Sequence, residues 1–93
     1  MSDSILSNER RCFFCGETMN LHRHHIYGGT ANRKISEKHG CWVYLCAKHH
    51  NMSNQSVHND REMDLALKQI CQKKMEKEIT RDEFIRIFGK SFL

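Results

Sequence analysis

The stretch Trp42-Val43-Tyr44-Leu45-Cys46-Ala47-Lys48-His49-His50 decides how this chain must be read. Its first four residues are aromatic and aliphatic without interruption, the pattern of a short buried strand. Cys46 and His49 follow in a C-x2-H arrangement, a spacing at which one turn can offer both side chains to a single metal ion. From Cys46 onward the chain is expected to turn into a helix carrying His49 and His50. The expected frame is therefore a buried strand that runs straight into a histidine-bearing helix.

Toward the N-terminus, Cys12 and Cys15 form a C-x2-C pair, and Gly16 behind them supplies the backbone freedom a metal knuckle needs. Cys41 and Cys71 stand outside both pairs, so the five cysteines are an odd number. That count argues against a disulfide framework and for metal binding. Zn²⁺ takes four nitrogen or sulfur ligands in a tetrahedron, and Cys12, Cys15, Cys46 and His49 supply such a set. His49 and His50 are adjacent, and either can serve as the fourth ligand by spacing alone. A chain of 93 residues buries a modest fraction of its surface, so a structural zinc staple would carry weight in its folding. Four protein ligands leave no open position, which makes the expected site structural and not catalytic.

The remaining elements follow from local signals. Leu21 to Tyr27 reads as a strand, broken by Gly28-Gly29. Ala31 to His39 reads as a short helix stopped by Gly40. Asn59 is the expected N-cap of a longer helix, with Glu62 placed for a capping box and Met63, Leu67, Ile70 and Cys71 at helical spacing as far as about Glu78. Thr80 with Glu83 repeats the capping signature, Phe84, Ile87 and Phe88 give a short apolar face, and Gly89 closes it. The expectation is one α+β domain over residues 1–93, with a core over 12–58 and a helical extension over 59–93. Residues 1–11 are polar, carry no signal-peptide pattern and are expected to be loose. No apolar run is long enough to span a bilayer, so no membrane partner is expected and the cytoplasm is the expected location. Fifteen Lys and Arg against eleven Asp and Glu give a formal charge of +4, which suits a polyanionic partner.

Seven histidines are many for this length, and they are unevenly placed. His22, His24 and His25 crowd one segment, while His49, His50 and His58 crowd another. Adjacent strand residues point to opposite faces, so His24 and His25 cannot share one role. His50, Asn54 and His58 recur at i, i+4 and i+8, one face of a helix. His22 and His39 belong to no spaced set and are expected to be ordinary exposed side chains.

In order along the chain, Cys12-x2-Cys15, His24-His25-Ile26 followed by Gly28-Gly29, and Leu45-Cys46-x2-His49-His50 resemble the HNH endonuclease family of ββα-metal nucleases. The resemblance spans Cys12 to His58, about half the chain, with His49 where the family has a fourth cysteine. It implies a zinc-stapled β-hairpin and a helix that grip one catalytic divalent ion. It assigns His25 as general base and His24 and His50 as ligands of that ion. His58 is the expected third ligand, with Asn54 as the alternative, and Asn51 is a further candidate for completing the site. The family's middle Asn should lie five residues before Cys46, and this chain has Cys41 there. The ion would be Mg²⁺, Mn²⁺, Ni²⁺ or Zn²⁺, imidazole ligands leaning toward the last three. Arg23, Arg33 and Lys34 are expected to hold phosphates; Lys38 is equally well explained as part of a solvated helix face. The implied function is hydrolysis of phosphodiester bonds in nucleic acid, with DNA as the expected substrate. Members of this size are often encoded by phages and mobile elements. The competing reading is a zinc-binding nucleic-acid module without catalysis, for which the missing Asn is the best support.

Overall fold

Two strands, Leu21–His25 (β1) and Trp42–Cys46 (β2), pair antiparallel in the computed structural model, which describes residues 3–52 and 60–93. Their register sets Leu21 opposite Cys46, Arg23 opposite Tyr44 and His25 opposite Trp42. β2 is buried on both faces at Trp42, Val43, Leu45 and Cys46, as its unbroken apolar run requires. The connection between the strands holds a helix, Thr30–His39 (α1). β1 is shorter than the expected Leu21–Tyr27 because Ile26 keeps only one bond of the ladder, the Cys41 N–H donating instead to Ser36 O at 2.7 Å, and Tyr27 leaves the pairing. The Ile26 N–H donates to the Cys41 carbonyl at 2.9 Å, and Tyr27 exchanges hydrogen bonds with Ser36 Oγ at 3.2 and 2.9 Å. Those last two bonds pin α1 against the end of β1.

Gly40 closes α1 in the left-handed conformation at φ +73°, as the sequence suggests. It has a second duty, since a Cβ at that position would collide with the Asp3 carbonyl oxygen. The N-terminal segment is thus laid against the core and is not loose. Ile5 N–H donates to Gly40 O at 3.0 Å, the Ser4 hydroxyl donates to Trp42 O, and Phe13 N–H donates to Tyr44 O at 2.8 Å. Ser4 is accordingly buried.

The C-terminal part contributes two helices, Arg61–Met75 (α2) and Arg81–Phe88 (α3). Asp60 caps α2, its Oδ1 accepting from Glu62 N–H at 3.0 Å and Met63 N–H at 3.2 Å, one residue beyond the expected cap. Thr80 caps α3 through Glu83 N–H at 3.1 Å, as its sequence signature predicts. Leu67, Cys71 and Met75 of α2 and Phe84 and Phe88 of α3 share one buried cluster with Ile26, Tyr27, Val43 and Leu45. Tyr27 is the keystone. Its ring stacks within 4.2 Å of Phe88 and 5.2 Å of Phe92, and its hydroxyl donates to Lys68 O at 2.7 Å. Cys41 lies in the same core at 0 % exposure, its sulfur 3.4 Å from that of Met75. Its hydrogen bond with Cys71 and its burial push the thiol pKa well up. Cys41 is therefore a packing residue. Among the described residues no helix is long and apolar enough to cross a membrane.

Candidate metal centre and adjoining cleft

Cys12 to Cys15 form a tight turn closed by Gly16 N–H donating to Cys12 O at 2.9 Å, with Gly16 at φ +79°. A further bond from Cys12 N–H to Glu17 O at 2.8 Å completes the knuckle. β2 ends at Cys46, and the chain then winds into a five-residue π-type turn, Lys48–Met52, instead of a regular α-helix over the described part. This turn carries His49 back over the knuckle.

The donor atoms of Cys12, Cys15, Cys46 and His49 all lie within 4.8 Å of one another. Cys15 Sγ is 3.7 Å from Cys46 Sγ, and His49 Nδ1 is 3.3 Å from Cys46 Sγ and 3.6 Å from Cys12 Sγ. A tetrahedron with Zn–S of about 2.3 Å and Zn–N of about 2.05 Å has edges of about 3.8 Å between sulfurs and about 3.6 Å from sulfur to nitrogen. These four side chains can therefore hold a zinc ion as they stand, His49 binding through Nδ1. Burial raises the Cys12 thiol, but backbone N–H groups of Cys46, Cys15 and Phe14 outweigh it and lower its pKa. At Cys15 the Glu17 backbone contact lowers the pKa, while desolvation and the Cys12 and Cys46 thiols raise it and prevail. The neighbouring thiols thus oppose ionisation of Cys15, and a cation at the centre would relieve that conflict. Among the described residues, no other group of three or more His, Cys, Asp or Glu brings its donor atoms this close.

His50, the next residue, faces a second centre. Its ring lies 5.4 Å from that of His24 and 4.9 Å from that of His22, and its Nδ1 is 2.9 Å from His22 Nδ1. His22 and His24 reach it together because residues i and i+2 share one face of β1. His22 is thus not the isolated exposed side chain that the sequence suggests, and its i, i+2 spacing from His24 is the signal that marks it. His25 points the other way, and its Nε2 lies 3.0 Å from Glu37 Oε2 on α1. Both His24 and His25 nevertheless line one cleft of about 630 Å³, together with His50, Gly28, Gly29 and Arg33. Across it α2 presents Arg61, Asp64 and Lys68, with Lys68 Nζ 2.8 Å from Asp64 Oδ2. No motif or spacing in the sequence marks Arg61 and Lys68, because their place at this cleft is made by tertiary packing.

Of the residues expected to hold phosphates, Arg33 lines this cleft. Arg23 lines it too, but its guanidinium stacks 3.6 Å from the Trp42 ring centre and lies 3.4 Å from Glu37 Oε1. Lys34 lines a separate, shallower depression together with His25, Arg33 and Glu37. Asn54 and His58 lie outside the described residues, and of Asn51 only the backbone is described. His39 packs against Phe88 at 6.3 Å between ring centres. Comparison of the chain with protein-family models, with curated proteins and with solved structures found no match.

Proposed function

We propose that this protein is a zinc-stapled, metal-dependent endonuclease of the HNH type that hydrolyses phosphodiester bonds, with DNA as its substrate. The observation that carries the reading is one cleft lined by three histidines, His24, His25 and His50, and by the cations Arg33, Arg61 and Lys68. A phosphodiester is anionic and resists attack by water, so hydrolysis needs a base for the water and positive charge for the phosphate. In this reading His25 accepts the water proton, an imidazole being suited to proton transfer near neutral pH. His24 and His50 hold a divalent ion, with His58 or Asn54 completing its ligands and His22, 2.9 Å from His50 between ring nitrogens, a further candidate. The bound ion would offset charge on the phosphorus centre and the leaving oxygen. Arg33, Arg61 and Lys68 hold flanking phosphates without reading bases.

One observation favours a second reading. The imidazole nitrogens of His22, His24 and His50 do not close into a compact ligand set among the described residues, as the zinc ligands do. A zinc-stapled module that binds nucleic acid without cutting it would keep the cations and dispense with the ion. Nicking of supercoiled plasmid in Mn²⁺ separates the two. The nuclease reading expects relaxation by the wild type, loss with chelator, and loss in His25→Ala. Tight binding with no nicking in any divalent ion would leave the binding module.

A further inference from the structure

His25 ends β1, where an imidazole with no fixed partner could rotate and present either ring nitrogen outward. It is not left so. Its Nε2 lies 3.0 Å from Glu37 Oε2, and the pair is about one quarter exposed, 22 % and 26 % for the two side chains. A carboxylate can only accept a hydrogen bond, so the proton between them belongs to His25 Nε2. Nδ1 then carries the free lone pair. Glu37 is itself held from behind. Its other oxygen, Oε1, lies 3.4 Å from an Arg23 guanidinium nitrogen, and that guanidinium stacks 3.6 Å from the centre of the buried Trp42 ring. Arg23 and His25 share a face of β1, and Trp42 pairs with His25 across the sheet. The helix bearing Glu37 is anchored one residue earlier, where the Ser36 hydroxyl donates to Tyr27 O at 2.9 Å.

We propose that Glu37 is the positioning residue for His25: it fixes the ring orientation and the Nε2–H tautomer, so that Nδ1 is the nitrogen that takes a proton. Its part in catalysis rests on the endonuclease reading above. An ordinary surface ion pair would not need this backing, since a lone exposed carboxylate gains little from one neighbour. Here four side chains form a chain, Trp42 to Arg23 to Glu37 to His25, in which each limits the freedom of the next.

The test has two arms. Long-range ¹H–¹⁵N spectra of the imidazole, recorded where it is neutral, report the tautomer directly. The wild type should show the Nε2–H form at His25, and Glu37→Gln should lose that preference. A wild-type His25 protonated at Nδ1, or a tautomer indifferent to Glu37→Gln, overturns the proposal. In the second arm, Glu37→Gln should lower kcat for cleavage of a DNA duplex in Mn²⁺ by about 10–100-fold, the usual effect of removing such a supporting group. KM, zinc content and melting temperature should stay at wild-type values, which a merely structural role would not predict. An unchanged kcat in Glu37→Gln, beside a wild type whose cleavage depends on His25, overturns the catalytic part. A wild type that cuts nothing sinks the endonuclease reading instead, and the tautomer arm alone then decides whether Glu37 positions His25.

Discussion

His49 and His50 are consecutive residues on one π-type turn, yet they face two clusters of different make-up. His49 closes a four-cornered site with three cysteines, its donor atoms at tetrahedral spacing. His50 opens onto a cleft in which imidazoles from β1 meet it edge-on while cations line the walls. A site with all its ligands from protein is saturated, so its free energy goes into holding the chain together. A site short of ligands leaves room for water or phosphate. The contrast teaches that ligand count separates a folding device from a candidate reactive one, even where the residues are neighbours.

The sharpest way to break the comparison is to remove a corner of the closed centre. Cys46→Ser should lose the zinc and unfold the domain, because apparent structural zinc affinities are worth about 10–16 kcal/mol. Metal analysis and circular dichroism check this, and a folded, zinc-free variant would contradict it. Substitutions at the open centre should leave zinc and fold intact. His25→Ala should cut cleavage by about 10²–10⁴-fold with divalent-ion affinity nearly unchanged. His24→Ala and His50→Ala should weaken ion binding, and excess Mn²⁺ should restore part of their rate by mass action. Equal rescue of all three would erase the distinction between base and ligand.

Alkali probes the core beneath both centres. The Cys41 thiol is pushed up by its hydrogen bond with Cys71 and by burial, and the Tyr27 hydroxyl is pushed up by burial and by Cys71. In the unfolded chain these groups ionise near their ordinary values of 9.0 and 10.0, before the folded ones do. Their stabilising effect is therefore complete below pH about 9 and declines as the pH rises beyond it. Denaturant midpoints measured across that range should fall, and Cys41→Ala should flatten the fall. The smallest effect is expected from a single wall cation. Arg61→Ala should weaken DNA binding several-fold and reduce the slope of log affinity against log salt by about one, with no loss of zinc. An unchanged slope would remove α2 from the binding surface.

Much of this was legible in the chain. The Cys/His cluster that could hold a metal declared itself by paired spacing, β2 by its unbroken apolar run, and α1 and α3 by Gly40 and by Thr80 with Glu83. These are signals in which cause and residue lie within one turn of each other. What stayed hidden depends on distant partners. Ile70, expected on the buried face of α2, is 43 % exposed, while Gln72 is fully buried. No periodicity predicts that exchange. Gln72 is tolerated inside because the C-terminal residues fold back to it, its Oε1 accepting from Phe92 N–H at 2.8 Å and its Nε2 donating to Ser91 Oγ at 3.0 Å. Glu37 likewise had no spacing to mark it, since its meeting with His25 is made by tertiary packing of α1 on β1. Cys41 shows the opposite hazard. Counting residues set it at a family site position, whereas the core claimed it for packing.

The bonds that residues 4, 5 and 13 make to the carbonyls of Trp42, Gly40 and Tyr44 have one more consequence. These are alternate carbonyls on the side of β2 away from β1, the side on which a third strand would add. An uncovered row of this kind recruits other chains into a shared sheet. The N-terminal segment covers the row, and Phe13 does so from within the zinc knuckle itself, between Cys12 and Cys15. Loss of the metal would thus uncover a sticky edge at the same time as it loosens the fold. The metal-free protein should accumulate as β-rich aggregate in preference to a dispersed unfolded chain.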